Sequence, residues 1–119
     1  MSNHPLIHIE FSSKNREVDA EFFSKLFGWS FNQIPEMDYA TFDAEGGPGG
    51  GLNPIQAEQP AGTIMVYVHT DKIDETLAKA GDLGGTIIRP KSEIPGVGWY
   101  GFISDLTGNT IALLQPFEE

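Results

Sequence analysis

Two side chains near the start of the chain carry the first chemical possibility: His8 and Glu10, two residues apart in LIHIEFS. An imidazole changes charge near neutral pH, and a carboxylate in partly apolar surroundings is a stronger base unless it is paired. Together they suit proton transfer or polar recognition of a small molecule. A spacing of two on an extended strand places both on one face. The same pair also fits a structural role, with Glu10 in an ordinary ion pair. Of the other histidines, His4 falls in a terminus expected to fray, and His69 shares the parity of Met65 and Tyr67 at a strand end. Trp29, Tyr39, Tyr67, Trp99, Tyr100 and Phe102 all fall in strand patterns. Those facing a cavity could sandwich a planar or cationic ligand, and the rest fill a core. The candidate catalytic pair is therefore His8 and Glu10, and the candidate ligand-binding set is Tyr67, His69, Trp99, Tyr100 and Phe102. Trp99, in a glycine-rich approach to its strand, is a candidate gate.

Composition narrows the partners. Seven Lys plus Arg against seventeen Asp plus Glu gives a formal charge of −10 over 119 residues, which repels a nucleic-acid backbone and anionic lipid alike. The absence of cysteine removes disulfides, thiolate metal ligands and thiol nucleophiles. Neither a basic and apolar leader nor a run of about 20 apolar residues is present, so a soluble cytoplasmic protein is the default expectation.

The elements that position these residues repeat. Leu6 to Ser12 alternates as a strand with Ile7, Ile9 and Phe11 opposite His8 and Glu10. A helix follows, capped by Ser13 or Asn15, with an apolar stripe of Val18, Phe22 and Leu26 widened by Phe23, and Gly28 as its stop. Trp29–Ile34 and Met37–Phe42 form a hairpin around Pro35 and Glu36, and Gly51–Ile55 a fourth short strand. The glycine-rich stretch 45–51 is a loop without the Lys and Ser or Thr of a phosphate loop. Residues 56–62 connect to a second round: a strand at Ile64–His69, a helix capped by Asp71 and carrying Ile73, Leu77 and Ala80, a stop at Gly84 and Gly85, and a strand Thr86–Arg89 halted by Pro90. A loop at 91–98 and a hairpin of Trp99–Ser104 with Asn109–Gln115 complete it, and Asp105 serves its turn. Ile7 and Ile64 stand 57 positions apart, as do Gly28 and Gly85. The reading is α+β: two tandem βαβββ modules, about 4–56 and 62–117, with eight strands in paired curved mixed sheets and two helices packed outside.

That order, with LIHIEF, FFSKLFGW, GGGLNP, IPGVGWYGF and DLTGNTIALLQ in sequence, resembles the vicinal oxygen chelate superfamily of glyoxalases, bleomycin-resistance proteins and extradiol dioxygenases, and most of all its small glyoxalase-related proteins. The resemblance implies one glyoxalase-like domain over 1–119. Metal-using members take one ligand from the first and last strand of each module, and laid on that pattern only His8 is a donor. Gly50, Gly51 and Leu52, then Met65 and Ala112, stand where the others belong. Such residues cannot replace imidazole or carboxylate on a divalent cation. The expectation is no cofactor and no divalent metal. An alternative site of His8, Glu10 and His69 requires their strand ends to converge. The resemblance further implies a homodimer and a small organic ligand. Three functions fit: binding or sequestration of that ligand, lyase, isomerase or dioxygenase chemistry with His8 and Glu10, or an interaction module with a collapsed cavity.

Overall fold

The computed structural model describes residues 4–57 and 59–118. In chain order the elements are β1 (Leu6–Ser13), α1 (Arg16–Phe27), β2 (Ser30–Ile34), a 3-10 turn (Pro35–Met37), β3 (Tyr39–Asp43), β4 (Gly50–Pro54), β5 (Ile64–His69), α2 (Ile73–Asp82), β6 (Thr86–Ile94), β7 (Gly98–Ser104) and β8 (Thr110–Pro116). The α+β, two-module βαβββ order is therefore observed. The chain forms two compact units, one of Ile7–Met65 and one of the residues on either side of it. The boundary falls inside β5, between Met65 and Val66, rather than in the connection at 56–62.

Each unit has the same strand order. In the first it is β2-β3-β4-β1, with β1 parallel to β4 and the other pairs antiparallel. In the second it is β6-β7-β8-β5, with β5 parallel to β8. A parallel first and last strand need a long crossover, and the helix with the intervening hairpin supplies it.

Asn15, not Ser13, caps α1: its Oδ1 accepts the amides of Glu17 and Val18. The Ser13 hydroxyl instead donates to Asp19 and accepts the Asn15 amide. Gly28 closes the helix at φ 77° and donates to the Ser24 carbonyl. The buried stripe differs from the expected one. Ala20 packs with Ala40 and Leu52, and Phe23, Phe11 and Phe31 close around them. Val18, Phe22 and Leu26 are each more than half exposed. The small Ala20 lets the helix bed closely on the strands, and an i, i+4, i+8 row that drifts about 40° per step then lies on the flank.

In the second unit Asp71 does not cap α2. The helix begins at Ile73, whose amide donates to Oε1 of Gln115 on β8, so a distant strand provides the cap. Thr70 accepts the Lys72 amide. The left-handed stop is Gly84, at φ 99°, one residue before the position that the repeat spacing indicates. Pro90 does not halt β6. The strand runs on to Ile94, with register shifts on either side of Arg89. β6 is the last strand in its sheet order, where a missing amide donor and a bulge are tolerated. The expected loop at 91–98 shrinks to the turn between Ile94 and Gly98.

Leu52 is fully buried at the centre of the first core. Leu52→Ala is expected to lower unfolding free energy by about 2–5 kcal/mol in urea titration. A loss near zero would show that the β4–α1 packing is not as described.

Candidate functional site

The pairing register sorts side chains onto two faces. In the first unit Ile9–Gly50–Phe42–Phe31 and Phe11–Leu52–Ala40 face α1, and the intervening rung Glu10–Gly51–Thr41–Asn32 faces away. In the second, Trp99, Ile103 and Leu113 pack with Ile73 and Leu77 of α2. The faces turned away from α2 carry the rungs Tyr67–Ala112–Phe102–Arg89 and His69–Leu114–Tyr100–Ser92. Glu10 thus matches Tyr67, Gly51 matches Ala112, and Tyr39 matches Tyr100.

His8 and Glu10 come together through Tyr39, which the sequence offered only as one of the strand aromatics. The Tyr39 hydroxyl donates to Glu10 Oε2 at 2.8 Å and stands 2.7 Å from His8 Nε2. Gln59 Nε2 donates to the other carboxylate oxygen at 2.7 Å. A carboxylate only accepts, so Gln59 must turn its NH₂ toward Glu10 and its carbonyl away. That carbonyl accepts from Asn53 at 2.9 Å and Gln56 at 3.0 Å. Glu10 is 4% exposed and Gln59 1%.

Gly51 makes this reach possible. It sits between Glu10 and Thr41 in the sheet, and a Cβ there would overlap the Tyr39 phenol. The ring therefore lies across the glycine to meet Glu10. Burial pulls the His8 pKa below its ordinary value near 6.5, opposed by the negative charge of Glu10. His8 is consequently neutral at pH 7.

The second-unit candidates divide. Tyr67, His69, Tyr100 and Phe102 share the face away from α2, with the Arg89 guanidinium 5.8 Å from the Tyr100 ring centre and 5.4 Å from that of Phe102. Trp99 does not share it. Its odd parity turns it to the α2 side, where it packs in the helix core under Lys91, whose Nζ lies 4.6 Å from the ring, and against Phe117. Trp29 likewise stacks on Phe42 on the α1 side. His69 lies 3.9 Å from Asp71, and His4 is not frayed: its Nδ1 donates to the His69 carbonyl. Asp105 clasps its own turn, and its bonds from the Asn109 side chain and the Asn109 and Thr107 amides hold its pKa near 2.

Tested against a divalent ion, the donor set fits poorly. Both Glu10 oxygens already accept hydrogen bonds, His8 Nε2 is engaged by Tyr39, and the phenol covers the Gly51 position. Met65 and Ala112 supply no hard donor. Among the described residues no group of three or more His, Cys, Asp or Glu is gathered to hold a metal.

No family model matches the chain. It is 24% identical over 114 residues to "Putative glyoxylase CFP32" of Mycobacterium bovis, covering 90% of this chain and 44% of that protein. The chain thus spans less than half the length of the curated relative. A glyoxalase/bleomycin resistance/dioxygenase superfamily member from Vibrio splendidus superposes with TM-score 0.70 at 10% identity, over 97% of this chain and all of that one. The chain has the glyoxalase/bleomycin resistance/dioxygenase fold. Methylmalonyl-CoA epimerase from Mycobacterium tuberculosis shares this fold, with TM-score 0.71 at 14% identity over 95% and 88% of the two chains. No helix among the described residues is long and apolar enough to cross a membrane.

The sequence named Tyr39 only among the strand aromatics and did not link it to His8 and Glu10, and it did not point to Gln59 at all. Tyr39 opens a strand whose pattern reads equally as core, and Gln59 lies in a connection without periodicity. The glycine run before Leu52 was the available signal, because glycine in a strand marks a close approach.

The lowered His8 pKa gives a signed pH effect. Above about 6.5 folded and unfolded His8 are both neutral, and as pH falls below that the unfolded ring takes a proton the folded one resists. Stability from this group is therefore full above pH 6.5 and lost as pH drops toward the lowered folded value. Urea titrations at pH 7.5 and 5 should show wild type losing more than His8→Gln, and equal losses would contradict a buried neutral ring.

Proposed function

We propose that the chain is a small-molecule binding or sequestration protein of the glyoxalase and bleomycin-resistance type whose metal site is degenerate. The observation that carries this reading is the commitment of Glu10. A carboxylate that accepts from Tyr39 and Gln59 would have to give up satisfied bonds to ligate a cation. What the face away from α2 offers instead is aromatic surface from Tyr67, Tyr100 and Phe102. Such surfaces suit an organic guest. No metal or other cofactor belongs to this reading. The excess of acidic residues argues against nucleic acid as a partner, and a cytoplasmic homodimer is part of the proposal by analogy with the superfamily.

A second reading has its own support. The His8–Tyr39–Glu10 hydrogen-bonded chain is a proton-transfer arrangement, and epimerases share the fold. In that reading the chain is a glyoxalase-related lyase, isomerase or dioxygenase using His8 and Glu10.

Elemental analysis of protein purified without an affinity tag, together with a thermal-shift screen over divalent ions and planar or cationic organic compounds, separates these ideas. The binding reading expects no stoichiometric ion, no melting shift with divalent salts, and stabilisation by an organic compound of about 2.7 kcal/mol at a hundredfold excess over Kd. A stoichiometric, protein-coordinated ion sinks it. Turnover of a compound that stabilises the protein, abolished by His8→Ala, establishes the second reading instead.

A further inference from the structure

We propose that the outward face of α1 is the contact between two copies of this chain, packed antiparallel about a two-fold axis with Phe22 against Phe22. The proposal rests on the homodimer named above and gives it a surface. The two helices provide a control for each other, since α2 covers its own unit in the ordinary way, burying Ile73 and Leu77 and turning Glu75, Lys79 and Asp82 to water. The outer face of α1 is apolar instead. Val18 and Phe22 stand about 160° around the helix from Ala20, and they, Leu26 and Phe27 are each more than half exposed, whereas Ala20 is buried. Together they present on the order of 400 Å² of apolar surface, within the range of the largest patch on a typical monomer, which is often functional.

Charge selects the occupant. The chain carries a formal −10, yet residues 14–27 balance Lys14, Arg16 and Lys25 against Glu17, Asp19 and Glu21, so the whole excess lies elsewhere. A second copy can meet this segment without bringing a net like charge onto it. The exposed row Glu17, Glu21, Lys25 runs one residue behind the apolar row Val18, Phe22, Leu26, as charged flanks do along a helix pair. In a parallel pair Lys25 would meet Lys25 and Glu17 would meet Glu17. Antiparallel packing sets each Lys25 near Glu17 of the other copy, places Val18 against Leu26, and opposes the two helix dipoles. Glu21, nearest the axis, already faces its own Lys25 at 3.7 Å.

Area sets the strength. A standard interface takes about 800 Å² from each partner, and this helix face supplies about half of that, so the dimer is reversible and dissociates in the micromolar range. The same patch on both copies closes the assembly at two. Every substitution on the face therefore acts twice per dimer.

Sedimentation-velocity centrifugation of the full chain from about 1 to 300 μM, a span that brackets a micromolar Kd, reads the association, and circular dichroism checks that each variant folds. Wild type is expected to pass from monomer to dimer within that span. Phe22→Gln should raise Kd by about a hundredfold or more, because two rings leave the centre of the contact. Lys25→Glu and Glu17→Lys, both at exposed positions, should each raise it about tenfold through two reversed pairs. The double variant Glu17→Lys with Lys25→Glu should return Kd close to the wild-type value. If Phe22→Gln does not fold, the charge variants decide alone. A wild-type chain that stays monomeric throughout overturns the proposal together with the homodimer above. A dimer whose Kd is unchanged in folded Phe22→Gln or in the single charge variants overturns the proposed face and leaves the homodimer standing. A double variant as weak as the single ones refutes the antiparallel arrangement, and the proposal with it.

Discussion

A buried carboxylate constrains the first unit more than any other group. Removing a charge from water costs several kcal/mol unless hydrogen bonds replace the lost hydration. Glu10 recovers them from Tyr39 and Gln59, and each donor imposes a demand. Tyr39 must cross the sheet, which requires the glycine at 51. Gln59 must come in from the connection, where Gln56 and Gln59 exchange reciprocal backbone bonds and the Asn53 amide fastens the Gln59 carbonyl. A stretch that looks like a plain linker is therefore a structural part of the site.

The two units show how one scaffold carries different chemistry. Their strand orders match, and their helix-facing positions are apolar in both. The faces away from the helices diverge: Glu10–Gly51–Thr41–Asn32 in one and Tyr67–Ala112–Phe102–Arg89 in the other. Packing against the helix fixes one set of alternating positions and leaves the other set open to exchange. In the second unit Arg89 beside Tyr100 and Phe102 sets a cation against ring faces, where the first unit sets a carboxylate among donors.

Much of the fold was legible because two periodicities dominate it. Strand alternation at Leu6–Ser13 and at Ile64–His69 placed His8, Glu10 and Tyr67 on the face away from the helix, and the Gly28 stop was found where expected. The errors arose where a residue's partner is far away in sequence. Asp71 has the chemistry of a cap, but Gln115 arrives from β8 and takes the role. Val18, Phe22 and Leu26 form the more obvious stripe, but the contact is set by how closely Ala20 approaches Ala40 and Leu52. Pro90 breaks a strand only when its missing amide is needed, and at the edge of a sheet it is not.

The sequence by itself determined the modular repeat and, on β1 and β5, the residue sets facing toward and away from the helix, because period and glycine placement are local properties. Only the tertiary structure decided that Tyr39 joins His8 to Glu10, that Gln59 completes the carboxylate's shell, and that Trp99 belongs to the helix core. Each of these depends on which strands lie side by side and in what register, and hydrogen-bond direction has meaning only once both partners are in place.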